Sequence, residues 1–485
     1  MRKKKNIILE KIRVEDYAAE GKSLARIGGK VIFIEKVVPG DVVDVQLFKN
    51  KKDWGEGFPV RFHEYSRERV EPFCPHFGVC GGCQWQMLPY EKQLHYKQKQ
   101  VEENLRRIGK VQLPEISPII GADQTKYYRN KLEYTFSNRE FLPDDEFKKI
   151  KEQVSAAAPE ALHTPAGNGH HALGVAGFHA KGVFDKVIDI RICFLQDEPT
   201  NAVRLAVKQF AKENGYSFYD IKNHSGFLRT VQLRVCTTGQ VMINVVFGYD
   251  DEEKIRRLMD FILEKFPNIT TLLYTINTKF NDSLNDLTPV AYYGNGYVVE
   301  RMEEFQFKIG PTSFFQTNTR QGEQLYKVAR QFADLHGHET VYDLYCGTGS
   351  IGIFLSKQAK RIIGVDMMDA AVHDARENAA LNKLSQAAQF YAGDVINICT
   401  DEFFLTHGAP DVILTDPPRA GMHDKLVRKL LDISAPLIVY VSCNPATQAR
   451  DLNLLSEKYE VTKIQPVDMF PHTHHIENVV QLKLK

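Results

Sequence analysis

The stretch VYDLYCGTGSIG, residues 341–352, decides the fold. An apolar run ends at Tyr345, and glycines follow at 347, 349 and 352. Glycines at that spacing let a backbone turn sharply after a strand, approach a ligand closely and pack a helix against the strand. Further along, the strand-like runs RIIGVD, DVILTD and LIVYVS alternate with helix-like segments such as DAAVHDARENAALNK and HDKLVRKLLDIS. Strand and helix in turn build βαβ units and a mostly parallel, doubly wound sheet. The last third of the chain, residues 310–485, is therefore read as an α/β nucleotide-type domain of Rossmann-like form.

Ligands of such sheets sit at the carboxyl ends of the strands. Asp366 ends the strand after the glycine loop, 23 residues beyond Asp343, and is placed to hold two ribose hydroxyls. Taken alone, the loop fits NAD as well as other nucleotide cofactors, or a purely structural turn. Two further strand ends separate these readings. Asp394 closes FYAGD, where a carboxylate faces an adenine amino group, and Asp416 opens DPPR, whose prolines stiffen the backbone. A dehydrogenase has no use for this set, which resembles that of S-adenosylmethionine-dependent methyltransferases.

Composition leaves the partner open. Hydrophobic residues make up 43% and charged residues 25% of 485, and the formal net charge is +1. This is ordinary for a globular protein of two or three units. Basic residues gather only locally, at 2–5, at 49–52 and along 92–110, and solvated surface is the default reading of each run. No stretch approaches a membrane helix, and the basic start lacks the apolar core of a secretory signal. A cytoplasmic monomer is expected.

Upstream, residues 1–65 read as short strands around Gly28-Gly29 and Pro39-Gly40, a small antiparallel barrel. The segment GKSLARIGGKVIFIEKVVPGDVVDV also resembles a TRAM domain, an OB-like barrel carried by several RNA-modifying enzymes. Residues 66–309 form a mainly β central unit, with a helix near 88–110 closing at Gly109 and an interrupting helix and loop at 140–172. Within it, Cys74, Cys80 and Cys83 make C-x5-C-x2-C, and Cys193 can supply a fourth thiolate. Spacing alone leaves zinc and an iron–sulfur cluster about equal.

The strand LIVYVS runs straight into Cys443, where substrates of an α/β domain bind; a buried, inert thiol is the commoner fate of a lone cysteine. Glu477 follows His472, His474 and His475, whose spacing matches no standard zinc set. SCNPAT, DPPRAG, DLYCGTGSIG, FFQTN and FPHTHHIENV, all within residues 314–479, together resemble the RNA uracil-5-methyltransferase family. The resemblance implies Cys443 as nucleophile and Glu477 as base. It places Gln316, Tyr345, Ser350, Asp366, Asp394 and Asp416 about the S-adenosylmethionine and the target base. Family members often carry Asn at the Ser350 position and Glu at the Asp366 position, departures that bear on affinity. C-x5-C-G-G-C resembles the [4Fe–4S] site of the branch that acts on 23S ribosomal RNA, with Cys74, Cys80, Cys83 and Cys193 as ligands.

The chemistry fits these residue types. Carbon 5 of uracil is too weak a nucleophile until a thiolate adds to carbon 6, and cysteine is both a strong nucleophile and an adequate leaving group. A stacked uridine must also be extruded first. Three alternatives remain at this point: the same chemistry on tRNA, a non-catalytic RNA-binding factor, and an amino-group DNA methyltransferase. The last usually has an aromatic residue after Asp-Pro-Pro, where this chain has Arg419.

Overall fold

The computed structural model describes residues 7–142 and 174–485. The helix and loop expected at 140–172 lie outside the described residues from 143 onward. The C-terminal sheet has seven strands. In spatial order they are Ala388–Ala392, Arg361–Asp366, Thr340–Leu344, Val412–Thr415, Leu437–Ser442, Glu477–Leu484 and Tyr459–Val467. The first five run parallel, as the alternation of strand and helix requires. Glu477–Leu484 enters antiparallel between Leu437–Ser442 and Tyr459–Val467. The central strands are buried on both faces, which explains their unbroken apolar character.

A hairpin, Val298–Met302 with Phe305–Ile309, precedes this sheet. Its Val298, Met302 and Phe307 share one apolar cluster with Val341 and Ile362, so the hairpin packs into the C-terminal core.

The central region carries a second seven-stranded sheet, with Leu228–Val235 and Val241–Phe247 at its middle. The sequence pattern of this region is mainly strand, interrupted only at 140–172. The structure adds two helices, Thr200–Glu213 and Glu252–Lys265. In the second, Ile255, Leu258, Met259 and Ile262 are buried at helical spacing, and Asp251 caps the start by accepting from the Lys254 N–H. The N-terminal strands form a six-stranded sheet whose inner face packs Ala25, Ile32, Ile34, Val43 and Val45.

Helix Tyr90–Asn104, extended by a wider turn over Leu105–Gly109, joins these parts. Val101 and Leu105 share an apolar cluster with Leu452 and Leu455 of the C-terminal core. Nearer its start, Lys97 makes a fully buried ion pair with Asp468 at 2.6 Å, and the Tyr90 hydroxyl donates to the same carboxylate at 2.8 Å. Gln93 accepts from the His472 N–H at 2.7 Å. One helix face thus holds the loop between the last two strands. Among the described residues, no helix is long and apolar enough to cross a membrane.

Candidate active site

The glycine loop leaves the central strand at Tyr345, which takes a left-handed φ of 63°. Asp366 braces it from the neighbouring strand, accepting from the Gly347 N–H at 2.9 Å and from the Met368 N–H at 2.9 Å. Asp394 accepts from the Ile396 N–H at the next strand end. Tyr345, Asp366 and Asp394 thereby converge on one edge, where burial first and the nearby carboxylates second push the Tyr345 phenol up. Ser350 opens helix Ser350–Leu355, and its hydroxyl lies 2.8 Å from that of the fully buried Tyr326. Gln316 is buried beside the same tyrosine.

Two residues here were missed by sequence reasoning. Tyr326 was hidden in an ordinary amphipathic helix. Asp343 stood in the quoted stretch but counted only as a spacer, yet it is the brace of the turn. Burial lifts its carboxyl to about 8, and it accepts from the Gly352 N–H at 3.0 Å. A Cβ on Gly352 would stand 2.8 Å from that carboxylate oxygen and 2.9 Å from Ile362. Gly352→Ala is therefore expected to cost about 1–3 kcal/mol, as overpacked sites do, and to weaken S-adenosylmethionine binding. Denaturant unfolding and calorimetric titration check the two effects separately.

Cys443 follows the strand Leu437–Ser442, and Glu477 begins the strand beside it. Ser442 pairs with Asn478, so the antiparallel register sets Cys443 across from Glu477. Asp416 and Arg419 come in from the DPPRAG loop. That loop is tied down by the Asn444 amide and the Thr447 hydroxyl, which donate to the Arg419 carbonyl at 3.0 and 3.2 Å. Asp451 supports it from below, accepting from the Met422 N–H and the Tyr440 hydroxyl.

Three acidic groups and one guanidinium share this space. Burial pushes Cys443 up to about 11, Glu477 and Asp416 push in the same direction, and Arg419 opposes them. Burial also lifts Asp416 to about 7 and holds Glu477 well above the carboxylate range, with Asp416 adding to the effect on Glu477. The thiol is thus largely protonated at neutral pH. Its alkylation by iodoacetamide, followed by peptide mapping, should accelerate steadily towards pH 11. Asp416→Asn removes a charge that disfavours the thiolate and should speed the reaction at fixed pH values above about 7, where Asp416 is ionised.

Cys443 and Arg419 line a cavity of about 630 Å³ that reaches from the C-terminal domain to the cysteine loop and the N-terminal sheet. A smaller cavity of about 220 Å³ lies behind it, lined by all four of Cys74, Cys80, Cys83 and Cys193. The Gln86 side chain accepts from the Cys74 N–H, and Asn201 accepts from the Cys193 N–H. Burial raises all four thiols, and their mutual repulsion adds to the rise at Cys80, Cys83 and Cys193. Cys236, Cys346 and Cys399 are buried elsewhere. Among the described residues, the only three metal-binding side chains within 4.8 Å of one another are His373, Asp374 and Glu377 on a surface helix; none of the 472–475 histidines joins such a group.

Residues 293–485 match the family described as tRNA (Uracil-5-)-methyltransferase. A Bacteroides thetaiotaomicron protein described as an RNA methyltransferase is 50% identical over 471 residues, covering 96% of this chain and all of its own. A Porphyromonas gingivalis protein of the same description is 46% identical, covering 97% of this chain and 99% of its own. The crystal structure of Pyrococcus abyssi tRNA (uracil-54, C5)-methyltransferase with S-adenosyl-L-homocysteine superposes with a TM-score of 0.73 at 26% identity, over 97% of this chain and 100% of that one. The chain belongs to the RNA (uracil-5-)-methyltransferase family and is an S-adenosylmethionine-dependent enzyme of that activity.

Proposed function

We propose that this enzyme methylates carbon 5 of its uridine through a covalent bond between Cys443 and carbon 6. The observation that carries the proposal is the strand register that sets Cys443 across from Glu477 at the mouth of a large cavity. The Cys443 thiolate adds to carbon 6 of the extruded base, moving electron density to carbon 5 and the carbon-4 oxygen. S-adenosylmethionine supplies an electrophilic methyl carbon on a sulfonium that departs as a neutral thioether. Glu477 takes the proton from carbon 5, the carbon–sulfur bond breaks, and Cys443 leaves as thiolate. Burial, with Asp416 adding to it, raises the proton affinity of Glu477, so that once ionised it is a stronger base than an exposed carboxylate. Tyr345, Ser350, Asp366 and Asp394 would hold the S-adenosylmethionine, with Gln316 and Asp416 between it and the base.

The substrate we favour is 23S ribosomal RNA, on the cysteine cluster and the TRAM-like N-terminal unit taken together. The tRNA reading stands second because the solved relative is named for a tRNA uridine. Labelled methyl transfer to unmethylated total RNA, sized and digested to nucleosides, decides between them. Label in 5-methyluridine of large-subunit RNA supports the first; label in the tRNA fraction replaces it with the second.

We also propose that Cys74, Cys80, Cys83 and Cys193 hold a [4Fe–4S] cluster. A tetrahedral zinc with Zn–S bonds of ~2.3 Å draws its sulfurs to roughly 3.8 Å from one another. All four cysteines line one cavity of about 220 Å³, room for a group larger than a single ion. Its part here is to hold the cysteine loop that forms one wall of the catalytic cavity. Anaerobically prepared protein should contain iron and acid-labile sulfide in equal amounts, and Cys80→Ser should lose both. Stoichiometric zinc without sulfide would overturn this assignment.

A further inference from the structure

Cys193 is far in sequence from the other three cysteines of its cavity, and a set of buried side chains fixes it there. Asn201 clamps both of its backbone groups, accepting from the Cys193 N–H at 2.8 Å and donating to the Cys193 carbonyl at 3.1 Å. Arg204, on the same helix, is fully buried. It donates to the carbonyls of Ala176, Ile190 and Arg191 and to the Asn201 side-chain oxygen, all neutral partners. The carboxylate whose field reaches Arg204, that of Asp189, is already engaged by Lys208 at 2.8 Å. A cation kept in the interior without an anion of its own is costly.

The Tyr134 hydroxyl is a second unbalanced group. It is fully buried and has no hydrogen-bond partner, although buried hydroxyls are nearly always satisfied. The Arg204 guanidinium lies 5.0 Å from the centre of its ring. Both groups bear on the Cys193 sulfur. Burial and the neighbouring Cys74 disfavour its thiolate, whereas the Leu195 N–H, the Tyr134 hydroxyl and the Arg204 charge favour it. On the other cysteine loop, Gln86 Oε1 accepts from the Cys74 N–H at 3.1 Å. The remaining amide nitrogen of Gln86 favours the Cys83 thiolate against the effect of burial.

We propose that Arg204, Tyr134 and Gln86 form an electrostatic cradle that raises the reduction potential of the iron–sulfur cluster. The inference rests on the assignment of Cys74, Cys80, Cys83 and Cys193 as the cluster's ligands. Four thiolates bring negative charge into a buried site, and reduction adds one more electron to it. Nearby charge and hydrogen bonds to the ligand sulfurs are the protein's means of setting that potential. Arg204 supplies the charge. Tyr134 and Gln86 supply donors, to the sulfurs of Cys193 and Cys83, and the Tyr134 hydroxyl thereby gains the partner it lacks. All three stabilise the more negative state, so their effects add in one direction. They touch no substrate and act as positioning residues through the cysteines.

The test uses the whole enzyme, prepared without oxygen and titrated with dithionite in the presence of redox mediators. Visible absorption and the electron paramagnetic resonance signal of the reduced cluster give the midpoint potential. Tyr134→Phe keeps the ring, removes only the hydroxyl, and should shift the midpoint to more negative values at unchanged iron and sulfide content. Arg204→Gln removes the charge while keeping a donor, and should shift the midpoint the same way. Tyr134→Phe decides alone if the Arg204 variant does not fold. An unchanged midpoint in Tyr134→Phe, with the cluster fully retained, would overturn the cradle while leaving the cluster assignment standing. Parent protein that holds zinc without sulfide would overturn both.

Discussion

Cys443→Ala should bind S-adenosylmethionine and RNA as the parent does and transfer no measurable methyl. Removing a covalent nucleophile costs on the order of a million-fold in kcat in a well-dissected hydrolase, and the uracil ring offers no alternative activation. The residue is half-buried at the end of a strand and donates no side-chain hydrogen bond that holds the fold, so its loss should leave unfolding unchanged. Glu477→Gln should fail differently. The adduct forms and receives its methyl, but the proton on carbon 5 has no acceptor, so the carbon–sulfur bond persists. A protein–RNA band stable to denaturing gels should accumulate with Glu477→Gln and be absent with Cys443→Ala. Methylation by Cys443→Ala at even a hundredth of the parent rate would sink the covalent mechanism.

The largest effect on stability is expected from Lys97→Met. Lys97 and Asp468 both have side chains without solvent exposure, and the variant strands a carboxylate in the interior. Breaking a buried pair from one side typically costs about 3–5 kcal/mol, whereas removing both charges is far milder. The double variant Lys97→Met with Asp468→Asn should recover much of the loss, because the asparagine still accepts from Tyr90. Urea unfolding of the parent, both single variants and the double variant gives the coupling directly. Activity should fall in Lys97→Met beyond what unfolding explains. Lys97 also donates to the Phe470 carbonyl at 3.0 Å and so holds the loop that leads into Glu477.

That ion pair also shows where the sequence stops being readable. The α/β domain was legible because strand and helix periods alternate there, and each acidic strand end fell where the parallel sheet sends it. Cys443 and Glu477 could be assigned by resemblance, but their placement across from each other depends on an antiparallel strand inserted late in the sheet. No local pattern announces that insertion. Lys97 lay in a basic run that reads as solvated surface, and only its partner, far away in sequence, makes it interior. The helix Glu252–Lys265 had a clear helical spacing and was overlooked among strong flanking strands.

The position of strand Glu477–Leu484 has a consequence for the order of events as the chain folds. It fills a gap between two strands that precede it, and the loop before it is secured by a helix 371 residues away at Lys97. Contacts of such separation close late, because the intervening chain must lose its freedom first. The parallel strands that end at Tyr345, Asp366 and Asp394 can therefore settle while Glu477 is still out of place across from Cys443. A chain arrested at that stage would hold methyl donor without the means to complete a turnover, and reactivity becomes the last property the molecule acquires.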